Sequence, residues 1–116
     1  MTELVALLSK GEGTWAQVSG IIKQGEWDNI ILIGSDFAKN FQIEKEHEFI
    51  EIKSSRLVEL RDEILEKLRG KIRGTEVALS IASGDGKEHM ALISALLSLP
   101  VGVRFTALTK EGIVTL

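Results

Sequence analysis

At 116 residues the chain is one domain's worth, and 44% hydrophobic with 27% charged residues is a globular balance, far from disorder. A net charge of −3 excludes a generic electrostatic binder of nucleic acid, so any nucleotide site must be a local pocket. The absence of cysteine excludes disulfides, thiolate metal sites and cysteine nucleophiles.

The opening MTELVALLSK carries an acidic residue at position 3 and an apolar run too short for a signal peptide. No apolar stretch reaches the roughly 18 residues of a membrane span. The expectation is therefore a soluble, cytoplasmic protein without membrane contact, one domain over 1–116. Its mean hydropathy of +0.12 and small size favour a further apolar face buried on a partner subunit.

Leu4 to Leu8 reads as a continuous apolar strand that ends in the polar, glycine-punctuated loop Ser9-Lys10-Gly11-Glu12-Gly13-Thr14. Trp15, Val18, Ile21 and Ile22 recur at helical spacing, and Gly25 suits a left-handed stop after that helix. Asn29 to Ile33 is a second buried-type strand, broken by Gly34-Ser35-Asp36. Phe37 and Phe41 lie one helical turn apart, which allows a short helix before the charged run Glu44 to Glu48.

Phe49 to Ile52 reads as a third strand, near an edge because polar residues alternate into it. Ser54 or Ser55 can cap the next helix, whose stripe is Leu57, Leu60, Ile64, Leu65, Leu68 and Ile72, with Glu63 and Lys67 paired at i,i+4. Gly70 and Gly74 punctuate its end. Val77 to Ala82 is the fourth strand, followed by Ser83-Gly84-Asp85-Gly86-Lys87 and a nearly all-apolar helix over about 88–99. Val101 to Leu108 and Gly112 to Leu116 flank a short turn and make a hairpin.

Strands alternating with helices predict an α/β, Rossmann-like three-layer sandwich, its sheet mostly parallel, with a C-terminal β-hairpin. Ligands of such sheets sit beyond the carboxyl ends of the strands, where strand order reverses. If the first and fourth strands are neighbours, loops 9–14 and 83–87 face each other across one crevice. Loop 83–87 opens a helix, its glycines allow close backbone approach, and Lys87 adds a compact positive charge. Its bland reading is a tight turn in which Asp85 or Ser83 caps the helix. Loop 9–14 offers the Ser9 and Thr14 hydroxyls, Lys10, Gly11 and Gly13, and Ser35 is a weaker third lining. His47 reads as part of a solvated connection, and His89 could face crevice or solvent. Trp15 and Trp27 read as packing residues, although Trp15 could stack on a base. No hydrolase triad, metal motif or paired-carboxylate constellation is visible, and no cofactor is expected.

The segment Val77-Ala78-Leu79-Ser80-Ile81-Ala82-Ser83-Gly84-Asp85-Gly86-Lys87-Glu88-His89-Met90 resembles the fourth strand and loop of CARF domains, the CRISPR-associated Rossmann-like sensors of antiviral defence. Leu4 to Thr14 is similar to that family's first strand and loop, and Trp27 to Ile33 to its second strand. The family pattern is Thr-Gly-Gly-Thr-Lys; Asp85 stands at its second glycine and Gly86 at its second hydroxyl. The resemblance implies a homodimer that holds a cyclic oligoadenylate across its two-fold axis; the apolar helix 88–99 and neighbouring apolar surface are the expected dimer face. Ser83, Gly84, Gly86 and Lys87 would form one wall of that site, and Ser9, Lys10 and Thr14 the other. It also implies slow, metal-independent ring cleavage, a ribose 2′-hydroxyl attacking its own phosphate while Lys87 and Ser9 stabilise the transition state. An effector protein in trans would then receive the signal. Two further readings stand beside it: an interaction subunit with empty loops, and a site for another phosphorylated metabolite.

Overall fold

A strand apolar at every position is stable only where both faces and both edges are covered. The computed structural model, which describes residues 2–116, gives Leu4 to Leu8 that position. It belongs to β1 (Glu3–Leu8), which pairs in parallel with β2 (Asn29–Gly34) on one side and β4 (Glu76–Ser80) on the other. β3 (Glu48–Glu51) lies outside β2, and β5 (Gly102–Thr109) and β6 (Gly112–Thr115) follow β4. The sheet order is β3-β2-β1-β4-β5-β6, parallel except for the β5–β6 hairpin. The chain is therefore an α/β Rossmann-like sandwich, as the alternation of its segments predicts.

Right-handed crossovers decide the layers. Steps from β1 out to β3 and steps back through β4 to β5 run in opposite directions, so their connections lie on opposite faces. α1 (Trp15–Gln24) and the short 3₁₀ turn Asp36–Asn40 cover one face. There Val18, Ile21, Ile22 and Ala38 pack on Leu4, Ala6, Leu8, Ile30 and Leu32. α2 (Leu57–Leu68) and α3 (Gly86–Ser98) cover the other. On that side Leu60, Ile64, Leu68 and the α3 residues Ala91, Leu92, Ala95 and Leu96 pack on the alternate strand residues. Each fully buried aliphatic side chain contributes roughly 1.5–3 kcal/mol, which makes β1 the strand the fold depends on most.

Two local expectations are corrected. Gly25 ends α1 in extended backbone at φ −87°, ψ 160°, with no left-handed stop. A Cβ there would run into the indole ring of Trp27, so the residue is small to admit that ring. Neither Ser54 nor Ser55 caps α2: its N-cap is Arg56, without a side-chain bond. The strand-to-helix turn is held instead by Glu63, which accepts from the amides of Lys53 and Ser54 and from Lys67 Nζ at 2.8 Å. The apolar helix α3 is only half sunk in the domain. Met90 and Leu97 stay exposed at 57% and 68%, and Met90 lies beside Leu57 and Val58 of α2. No helix of the described residues is long and apolar enough to cross a membrane.

Candidate functional site at the sheet switch point

The adjacency of β1 and β4, with Leu4 opposite Ala78 and Ala6 opposite Ser80, is the reversal of strand order at which such sheets bind ligands. It brings loops 9–14 and 81–85 into contact. The Ser9 amide donates to Ser83 Oγ at 2.8 Å, and Ser9 Oγ donates to Glu88 at 3.0 Å. A cleft of about 350 Å³ opens beside this junction. Ser9 and Lys10 line it from the β1 side, Ser35 from β2, and Asp85, Lys87 and Glu88 from the start of α3. Lys87 Nζ reaches across to the Ser55 carbonyl and so spans the cleft.

Not every loop residue serves the cleft. Ser83 is fully buried, and its oxygen is committed to the Ser9 amide. Gly11, Gly13 and Thr14 lie outside the lining; Thr14 Oγ1 donates to the Gly11 carbonyl at 2.8 Å and closes their turn locally. Gly84 has φ +108°, and a Cβ there would press on Leu7, so backbone geometry dictates this glycine. Gly86 is exposed at the first turn of α3, with open space where a Cβ would sit.

Asp85 is the N-cap of α3 in a complete capping box: its carboxylate accepts from the Glu88 amide at 2.8 Å, and Glu88 accepts from the Asp85 amide at 3.0 Å. The bland reading of this loop thus holds for Asp85. Two carboxylates now occupy the end of the helix where an anion would otherwise sit. Charge attraction for an anion falls to Lys10, Lys53 and Lys87.

Lys53, Ser54 and Ser55 are the lining residues that sequence reasoning missed. Their signal was topological, since every loop after a parallel strand opens on the same edge of the sheet, and residues 53–55 follow β3. Trp15 does not present its ring as a platform for a base. Its Nε1 donates to the Ser9 carbonyl at 2.7 Å, and its ring packs against Phe37 and Phe41 at 5.6 and 5.8 Å between centroids. His89 is tied to the Ser83 carbonyl through Nε2 at 2.9 Å, and His47 is bonded to Lys45 far from the cleft. Among the described residues no cluster of His, Asp and Glu could hold a metal ion. No protein-family model matches the chain, and a search of curated proteins finds no significant match.

Proposed function

We propose that the chain is a nucleotide-binding domain whose switch-point cleft takes the phosphates of a cyclic oligoadenylate, one ring being shared by two copies of the chain. The observation that carries this reading is the joining of three lysines, Lys10, Lys53 and Lys87, and the Ser9, Ser35, Ser54 and Ser55 segments around one cleft at the strand-order reversal. Ammonium groups and hydroxyls are the chemistry a phosphodiester needs. The likeness of residues 77–90 to the fourth strand and loop of CARF domains supports the adenylate ring as the ligand. The exposed Leu57, Val58, Met90 and Leu97 supply an apolar surface for the second copy. Ring cleavage would need only Lys87 and Ser9 beside a phosphate whose own 2′-hydroxyl attacks.

A second reading draws on the cleft's size. At about 350 Å³ it lies at the small end of ligand pockets and fits a mononucleotide or similar phosphorylated metabolite within one chain.

Calorimetry with cyclic tetra-adenylate, cyclic hexa-adenylate and AMP separates these. Saturation at one ring per two chains, lost in Lys87→Ala and weakened in Lys53→Ala with the fold intact, is the expected result. Binding of AMP alone would move the assignment to the second reading. No heat from any of them would leave a protein-interaction subunit. Chromatography of the bound ring after long incubation reports on cleavage, and an intact ring excludes it.

A further inference from the structure

Ser9 follows β1 directly, and the fold holds it at three atoms. Its amide donates to Ser83 Oγ at 2.8 Å, its carbonyl accepts from Trp15 Nε1 at 2.7 Å, and its hydroxyl donates to Glu88 at 3.0 Å. The receiving oxygen, Glu88 Oε1, also accepts from the Asp85 amide at 3.0 Å, so the capping box that starts α3 fixes this carboxylate in place. Ser9 and Glu88 are both half-buried, which shields the bond between them from water.

A serine hydroxyl has one proton and two lone pairs, and a carboxylate can only accept. With Glu88 holding the proton, Ser9 Oγ is left as an acceptor. Among the described residues no group donates to it, and Lys87 is turned to the Ser55 carbonyl instead. This changes what the β1 wall of the cleft can hold. Phosphate oxygens are acceptors as well, so Ser9 offers a phosphate no hydrogen bond, and the charge of Glu88 behind it repels one. Phosphate is left to Lys10, Lys53 and Lys87, and among the described residues none of these forms an ion pair with Asp85 or Glu88. What Ser9 can take from a ligand is a proton donor close to that phosphate. In a 3′,5′-linked adenylate this is the ribose 2′-hydroxyl, on the carbon next to the esterified one; the amine of the base lies several bonds further away.

On the nucleotide reading of the cleft, on which this rests, we infer that Ser9 reads a ribose 2′-hydroxyl, and that Glu88 is the positioning residue that makes it an acceptor. The cleft then takes ribonucleotides and discriminates against their deoxy counterparts. Ligand hydroxyl, Ser9 and Glu88 form one chain of hydrogen bonds, each group donating to the next and the last carrying a fixed charge. A deoxy sugar sets a C–H group against Ser9 and leaves its oxygen unpaired. Sites built to hydrogen-bond a hydroxyl reject an analogue without it for this reason.

Calorimetry on the whole chain compares cyclic tetra-adenylate with its all-2′-deoxy analogue, and AMP with 2′,3′-dideoxy-AMP for a ligand held within one chain. The ribose form should bind about tenfold tighter for each Ser9 it meets. Both members of a pair carry the same phosphate charge, so their affinity ratio is blind to a change in the charge of the cleft. Ser9→Ala should bring the ratio to about one, and Ser9→Thr, which keeps the hydroxyl, should restore it. Glu88→Ala frees the Ser9 proton while Asp85 keeps its bond to the amide of residue 88; both forms should then bind more tightly and the ratio should fall severalfold. A Ser9 or Glu88 that only supports the fold would shift both affinities together and leave the ratio alone. Ribose and deoxy forms that bind the wild type equally would overturn the inference and leave the nucleotide reading standing. So would a ratio that survives in Ser9→Ala or in Glu88→Ala. No heat from any of the four nucleotides would overturn both.

Discussion

Two carboxylates hold the polypeptide where loops meet strands. Glu63 sits under the turn after β3. Burial alone would raise its carboxyl, but the Lys67 ammonium and the amides of Ser54 and Lys53 outweigh that and hold it at about 2, against an ordinary value of 4.5. Glu3, 2% exposed, is lowered in the same way: burial opposes, while the amides of Arg73 and Gly74 and the Asn29 side chain prevail. A carboxyl depressed in the folded state stabilises the fold above its unfolded value, and that contribution drains away as pH falls through the folded one. Glu63→Gln is thus expected to cost on the order of 2 kcal/mol at neutral pH and to flatten the loss of stability between pH 4.5 and about 2. Denaturant melts across that range check it; parallel curves for variant and wild type would refute it. Asp85 separates two effects at one position. Asp85→Asn keeps a competent cap and removes a charge from the cleft lip, so anion affinity should rise severalfold with little change in stability. Asp85→Ala should lose about 1 kcal/mol by thermal melting. Sequence alone did show Asp85 as a cap candidate, because an aspartate just before a helix can accept from its first-turn amides. It could not show Glu3 as a clamp, since the Arg73 and Gly74 amides it binds lie 70 and 71 positions further on.

At the level of elements, strands were legible because runs such as Ile30-Ile31-Leu32-Ile33 tolerate only double-sided burial, and helices because α1 and α2 keep apolar positions on one stripe. Ends were less so, since the groups that close them come from elsewhere. The last turn of α1 is finished by Lys45, whose Nζ donates to the carbonyls of Ile22 and Gly25, both at 2.8 Å, from the connection between β2 and β3. A cation at a helix C-terminus also meets the negative end of the dipole. Lys45→Met should therefore lower stability by about 1 kcal/mol, and raised salt should narrow the difference, as judged by thermal melts. Gly20 has a packing reason of the same remote kind: a Cβ there would collide with Leu108 of β5. Gly20→Ala is expected to destabilise through that contact, despite alanine's better helix propensity, and Leu108→Ala should relieve it. A double-mutant cycle with simple additivity would show that the two positions do not touch.

For the molecule as a whole, the alternation of segments gave the fold class and the hairpin, but not the strand order, because pairing between distant strands leaves no local trace. That order decides the site: only with β1 beside β4 do Lys10 and Lys87 share a cleft. If two copies meet through α2 and α3, Leu97→Glu should weaken ring binding together with self-association. Ring affinity unchanged in Leu97→Glu would place the ring within one chain. The same central position of β1 has a temporal side. Its partner β4 trails it in the chain, Ser9 and Ser83 being 74 positions apart. At roughly 5–20 residues per second of synthesis, β1 with its apolar run Leu4 to Leu8 waits about 4–15 s at the ribosome before its second neighbour is made. The newborn chain passes through a sticky interval in which β1 has one edge open, and a trigger-factor-like holdase should raise soluble yield most for variants that delay β4.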